Sequence, residues 1–351
     1  MSPEELRILP KVLLHDHLDG GLRPQTILEL AEIGGYDRLP SRDLDELTDW
    51  FFQGRSASLE RYLEAFAPTV GVMQTAAAIE RVAYEATEDL AAQGVVYAEM
   101  RMAPSLCTDR ELNRTDAIAA MLAGMSRGEA EFGLPVRLIV DAMRQDSDSS
   151  EVARAAVEFA GEGVVGFDLA GPEAGYSALE HRRACEIALE GGLHLTIHAG
   201  EGDGVQSIVG AMEVGAERLG HGVRLVEDID VVAGEAETLG PVAQTVLDTG
   251  LTLEICPTSN LHTGVFPDAR SHPLGLLHRA GFTVTISTDN RLMSRISPTD
   301  EFAFAVEHHG FDVQDLELVT MRAIDAAFCD QGTKDRVAAT VMAGYAPAGA
   351  E

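Results

Sequence analysis

The sequence predicts an α/β protein, a (β/α)8 TIM barrel with extra helices between strands 1 and 2 over the barrel mouth. Three observations carry that prediction. Strand-like apolar runs alternate with alanine-rich stretches of helical period along most of the 351 residues. Eight such runs can be marked, the number a closed parallel barrel requires. Seven of the eight end on polar, chemistry-bearing residues, and the carboxyl ends of the strands are where such a barrel carries its site. No Pro/Ser/Gly linker, low-complexity tract or short repeat divides the chain, so a single domain spanning 1–351 is expected.

In chain order, the first strand is KVLLHDH (11–17), an apolar run closing on two histidines. The segment from 18 to 93 is too long for one crossover helix. Within it SLERYLEAFAP (58–68) places Leu59, Leu63 and Phe66 on one helical face. That face suits a core-facing amphipathic helix, or alternatively a cover over substrate. AAAIERVAYEATEDLAAQG (76–94) is the clearest helix and leads into GVVYAEMR (94–101). TDAIAAMLAGMSRGEAEFG (115–133) precedes PVRLIVD (135–141), and SSEVARAAVEFAGEG (149–163) precedes VVGFDLA (164–170). LHLTIH (193–198), ERLGH (217–221), LTLEIC (251–256) and FTVTIST (282–288) complete the set.

Composition excludes several classes. The formal charge of −31, from 57 acidic against 26 basic residues, repels phosphate backbones, so no nucleic acid partner is expected. No window approaches the ~18 apolar residues of a membrane span. The N-terminal MSPEELRILPK is acidic and polar, without the basic-then-apolar order of a signal peptide, and a cytoplasmic location is expected. Cys107, Cys185, Cys256 and Cys329 are scattered, which disfavours a disulfide framework or zinc knuckle. Neither a nucleophile elbow nor a Gly-rich phosphate loop follows any strand. Cys256-Pro257-Thr258-Ser259 lacks the second cysteine that a Cys-liganded nucleobase deaminase needs.

The polar strand ends are His15 and His17, Glu99 and Arg101, Asp141, Asp168, His198, His221, and Asp289 just past the last strand. His15 and His17 stand two apart in a strand, so both rings leave the same face and can share one metal ion. His198 closes the fifth strand and Glu201 follows in the Gly-rich turn of TIHAGEGDG (196–204). A glutamate desolvated beside a metal can hold a proton and act as a general acid. His221 lies between glycines in RLGHG (218–222), and ISTDNR (286–291) supplies Asp289. Three histidines and a carboxylate, His15, His17, His198 and Asp289, suit zinc with one position left for water.

The order H-D-H-L-D-G-G, G-V-V-Y-A-E-M-R, F-D-L-A-G-P-E, I-H-A-G-E, L-G-H-G and S-T-D-N resembles the adenosine deaminases of the amidohydrolase superfamily, from about residue 10 to 330. The resemblance implies a hydrolase removing the C6 amino group of adenosine or 2′-deoxyadenosine, a small-molecule purine nucleoside. It implies one Zn2+ per chain, held by His15, His17, His198 and Asp289. Glu201 would protonate N1, His221 would orient the attacking hydroxide, and Asp289 would double as the base. Gly171 would meet N3 through its backbone, His17 and Asp19 would lie near the ribose hydroxyls, and Asn290 would contact N7. Two-metal relatives in the superfamily use a strand-four lysine; VVGFDLA has none, and the chain's only lysines are Lys11 and Lys334.

Three departures bear on the substrate. The family usually has two consecutive aspartates where this chain has Asp289-Asn290, although an asparagine amide can still donate to N7. Asp203 replaces a small uncharged residue, and R-M-A-P (101–104) replaces a more usual aromatic-serine pair. Another 6-aminopurine, such as 6-amino-6-deoxyfutalosine or adenine, is therefore the alternative substrate, with a catalytically silent binding protein behind it. The sequence specifies no oligomeric state.

Overall fold

A computed structural model describes residues 1–54, 56 and 58–346. Eight parallel strands form one sheet in sequential order: β1 Lys11–His17, β2 Val95–Met102, β3 Val136–Met143, β4 Val164–Ala170, β5 His194–Ala199, β6 Arg218–His221, β7 Thr252–Ile255 and β8 Val284–Ile286. Every residue of β1, β6, β7 and β8 is buried, as expected where helices cover the outer face and side chains fill the inner one. The sheet closes on itself through a single bridge between Asp16 and Asp289. There the Asp289 N–H donates to His15 O (3.0 Å) and the His17 N–H to Asp289 O (2.8 Å).

The helices start where the sequence supplies caps. Thr75 accepts from Ala78 N ahead of Ala76–Ala91, and Asn113 forms a reciprocal box with Asp116 ahead of Arg114–Phe132. These two helices pack closely at Gly124, where a Cβ would lie 2.2 Å from Glu80 O. One hydrophobic cluster runs from Leu6 near the start to Tyr345 near the end. At the base of β1 the buried Lys11 ammonium donates to the carbonyls of Leu6, Arg7, Leu9 and Gln93, tying the N-terminal helix Pro3–Ile8 to the barrel floor.

Three stretches differ from expectation. The 58–68 helix is two pieces, Leu59–Leu63 and Phe66–Val72, broken at Glu64-Ala65. The helix expected over 149–163 stops at Val157. An unforeseen antiparallel hairpin, Ile229–Val232 with Glu235–Leu239, follows β6 and turns at Ala233 and Gly234, both at positive φ. The helices expected between β1 and β2 are present, beginning with Pro24–Gly34 and Leu44–Phe51.

Candidate active site

The site is assembled where β1 meets the end of β8. His15 and His17 leave β1 on the same side, His198 comes from β5, His221 from β6, and Asp289 lies three residues beyond β8. The His15 ring centroid is 4.6 Å from that of His198, 4.8 Å from that of His221 and 5.3 Å from that of His17. His221 and Asp289 both sit at positive φ, 64° and 59°. Non-glycine residues in that region carry strain of about 1–3 kcal/mol each, and such strain gathers at functional sites.

The outward nitrogens each lie against a carboxylate. His15 Nδ1 lies 3.0 Å from Glu254 Oε2, His198 Nδ1 2.8 Å from Asp168 Oδ2, and His17 Nδ1 3.5 Å from Asp141 Oδ2. The inward nitrogens converge. His17 Nε2 and His198 Nε2 are 3.3 Å apart, and Asp289 Oδ1 lies 3.4 Å from His17 Nε2 and 3.6 Å from His15 Nε2. His15 Nε2 is buried without a hydrogen-bond partner. A carboxylate on one ring nitrogen and a bare lone pair on the other is the arrangement of metal-binding histidines. Lone pairs and a carboxylate facing one another in a buried pocket call for a cation between them, so the residues fit a metal ion. Among the described residues, His15, His17 and Asp289 bring ligand atoms within 4.8 Å of one another, as do His15, His198 and His221, and Glu201, His221 and Asp289.

Asp289 is held by Ser259, whose hydroxyl donates to Oδ2 at 2.5 Å. Burial alone would raise its carboxyl, but His15, His17 and His221 hold it well below the usual range. Glu201 goes the other way. Burial pushes it well above the ordinary 4.5, with Asp289 and Glu173 adding repulsion, and this favours its protonated form. Its Oε1 accepts from the Thr263 hydroxyl at 3.1 Å and its Oε2 lies 3.5 Å from His221 Nε2. The turn carrying it is clamped by Glu173, which accepts the backbone N–H groups of Gly200, Glu201 and Gly202 at 2.5–2.9 Å.

Beneath these groups lies a second layer of charge. Arg101 donates to Asp168 Oδ2 (2.6 Å) and Glu254 Oε2 (2.7 Å), while Arg218 donates to Glu254 Oε1 and Glu99 Oε2 (both 2.6 Å). Glu99, Arg101 and Asp168, read from the sequence as strand-end groups of the shared site, therefore work one step below it. The mouth groups rest on them.

A cavity of about 310 Å3 opens above the cluster. His17, Asp19, His198, Glu201, His221 and Asp289 line its floor and walls, together with Gly171 and Asn290. Leu59, Tyr62, Leu63, Phe66 and Val70 contribute an apolar wall. The apolar face predicted for 58–68 thus lines the cavity, while Phe66 also packs against the hydrophobic core. No lysine or arginine lines the cavity among the described residues. The Gly-Gly pair after Asp19 has a steric cause: a Cβ on Gly20 would lie 2.1 Å from Asn290 Oδ1. Asp16, between the two histidines, accepts from Thr288 (2.7 Å) and Arg291 (2.8 Å), fixing the loop that carries Asp289. Asp203, expected near the mouth, lines a separate cleft with Tyr176 and Glu180, and from R-M-A-P only Ala103 reaches the cavity.

Four residues of this site had no assigned role in the sequence. Glu254 is the single acid of the apolar strand LTLEIC, and Glu173 lies at the end of F-D-L-A-G-P-E. Ser259 and Asn260 follow β7 on the short helix Pro257–His262. A polar side chain in an otherwise apolar strand was the available signal for Glu254.

A parallel barrel with a histidine-aspartate cluster and a buried glutamate at its mouth is the arrangement of a metal-type hydrolase of the amidohydrolase kind. The adenosine deaminase family model matches residues 10–343. The adenosine deaminase of Mycobacterium leprae is 49% identical over 332 residues, covering 93% of this chain and 92% of that protein. That of Mycobacterium tuberculosis is 48% identical, covering 93% and 91%. Among solved structures, an adenine deaminase from Arthrobacter aurescens superposes with a TM-score of 0.85 at 26% identity, over 95% of this chain and 98% of that one. An amidohydrolase from Burkholderia ambifaria solved with bound Zn shares the fold (TM-score 0.83, 24% identity, 98% and 92% coverage). The chain belongs to the adenosine deaminase family, hydrolytic deaminases of purines.

Proposed function

We propose that this protein converts adenosine and 2′-deoxyadenosine to inosine and 2′-deoxyinosine, releasing ammonia, with one zinc ion per chain held by His15, His17, His198 and Asp289. The observation that carries the reading is the buried Glu201, its pKa raised by burial, set in the cavity wall beside the converging Nε2 atoms and Asp289. A zinc ion held by these four residues would supply Lewis acidity and lower the pKa of a water from 15.7 towards ~7. Glu201 gives its proton to ring N1, which makes C6 electrophilic. Asp289 accepts the proton of the attacking water and returns it to the departing amine. His221 orients the attacking oxygen from beside Glu201. Asn290 donates its amide to N7, Gly171 offers its backbone to N3, and His17 and Asp19 lie towards the sugar.

The cavity favours a neutral nucleoside over a nucleotide, because among the described residues its apolar wall and acidic floor offer no lysine or arginine to pair with a phosphate. Four free cysteines suit a reducing compartment such as the cytoplasm. Adenine is kept as a second substrate to test because the Arthrobacter structure is an adenine deaminase. The test is ammonia release from adenosine, 2′-deoxyadenosine, adenine and AMP, before metal removal, after it, and after zinc is restored. Activity on the two nucleosides that disappears with the metal and returns with zinc is expected. A marked preference for adenine or AMP overturns the substrate, and activity indifferent to chelation overturns the metal chemistry.

A further inference from the structure

His221 differs from the other three histidines of the cluster. Their Nδ1 atoms face carboxyl groups, whereas Nδ1 of His221 faces an amide, Asn260 Nδ2, at 3.1 Å. The far side of that amide continues into the protein, where Asn260 Oδ1 lies 3.2 Å from His272 Nε2. His272 Nδ1 in turn receives the backbone N–H of Leu274 at 3.2 Å.

The last contact gives the series a direction. A backbone N–H can only donate, so His272 Nδ1 accepts and the ring's single hydrogen sits on Nε2. His272 is buried against Phe266 and Phe304. Burial, with His309 nearby, pulls its pKa down to about 3, so the ring is neutral. His272 Nε2–H therefore donates to Asn260 Oδ1, which turns the Asn260 NH2 group towards His221. An amide nitrogen has no lone pair to offer, so His221 Nδ1 must accept. A neutral His221 then carries its hydrogen on Nε2, the nitrogen beside Glu201.

We infer that Asn260 and His272 are positioning residues that hold His221 as its Nε2–H tautomer, making it a hydrogen-bond donor at the reacting centre and excluding Nε2 as a metal ligand. The role at the reacting centre rests on the proposed deamination; the tautomer does not. The inference separates His221 from His15 and His198, whose acidic partners leave Nε2 bare. It would also keep His221, 4.8 Å from His15, outside the proposed ligand set.

The test is 15N NMR of histidine-labelled protein, zinc-loaded and zinc-free, with His221 assigned by comparison with His221→Gln. A protonated Nε2 and a bare Nδ1 are expected in both forms, and a hydrogen on Nδ1 overturns the proposal. Asn260→Asp offers Nδ1 only acceptors, so the hydrogen should move to Nδ1 while kcat falls on the order of 10²-fold and KM changes little. His272→Gln keeps an N–H donor and should retain both tautomer and kcat. His272→Leu removes the donor and should give mixed tautomers, with kcat down about tenfold at unchanged zinc content. A His272→Leu protein with wild-type tautomer and kcat overturns the chain. A protein that never deaminates adenosine overturns the substrate instead, while the NMR still decides the tautomer.

Discussion

Two layers of buried carboxyl groups lie within one barrel, and, apart from Asp289, which the histidines hold down, they are treated in opposite ways. In the lower layer, burial would raise Glu254, but Arg101 and Arg218 hold it well below the usual range. In the upper layer Glu201, Asp19 and Asp141 are equally enclosed, and burial pushes all three up, Asp19 to about 7. The difference is the supply of cations: two guanidinium groups below and, among the described residues, no lysine or arginine lining the cavity above. The lower layer is self-neutralised and can act as a rigid footing. The upper layer keeps protons to give away and leaves room for a positive charge brought from outside.

The contrast can be broken from either side. The largest effect is expected at the mouth. Glu201→Gln keeps the shape and a hydrogen-bond donor but has no acidic proton, so kcat should fall by about 10³-fold with zinc content unchanged. Near-wild-type turnover would remove Glu201 as the proton donor. In the lower layer, Glu254→Gln leaves Arg101 and Arg218 short of a buried counter-charge. A loss of about 3–5 kcal/mol in denaturant unfolding is expected, with zinc affinity weakened about 10–100-fold through His15. An unchanged unfolding midpoint would show that the network is not a footing.

Smaller effects sharpen the comparison. The Thr263 hydroxyl lowers the Glu201 pKa by hydrogen bonding to its charged form. Thr263→Val should therefore raise that pKa further, and since a general acid works only while protonated, the alkaline limb of kcat/KM should move to higher pH. A move to lower pH would contradict the assignment. The smallest effect concerns metal-free stability. Between the ordinary 3.8 and about 7, folded Asp19 keeps a proton that the unfolded chain has lost, so stability falls as pH rises through that window. Asp19→Asn should flatten this slope in thermal unfolding; an unchanged slope would place the titration elsewhere.

The upper layer was far more legible in the sequence than the lower. Metal and proton chemistry demand particular residue types, and strand periodicity puts them at strand ends, so His15, His17, His198, Glu201, His221 and Asp289 all stood out. Glu254 did not, because its partners Arg101 and Arg218 lie 153 and 36 positions away and only barrel closure brings them together. The break at Glu64-Ala65 was hidden because Leu59, Leu63 and Phe66 keep helical spacing across it. The 229–239 hairpin turns on Ala233-Gly234, not on the Asn-Gly or Asp-Gly pair that usually announces such a turn.

The seam joining β1 to β8 also sets a schedule for the nascent chain. His15 and His17 emerge from the ribosome first, and Asp289, their partner in both the seam and the cluster, emerges about 270 residues later. At ~5–20 residues per second, that is an interval of roughly 15–50 s during which the first strand has no eighth strand to pair with. Its two histidines can meet metal before the pocket exists. For this molecule, translation must reach β8 and Asp289 before the barrel can close and the cluster can be completed.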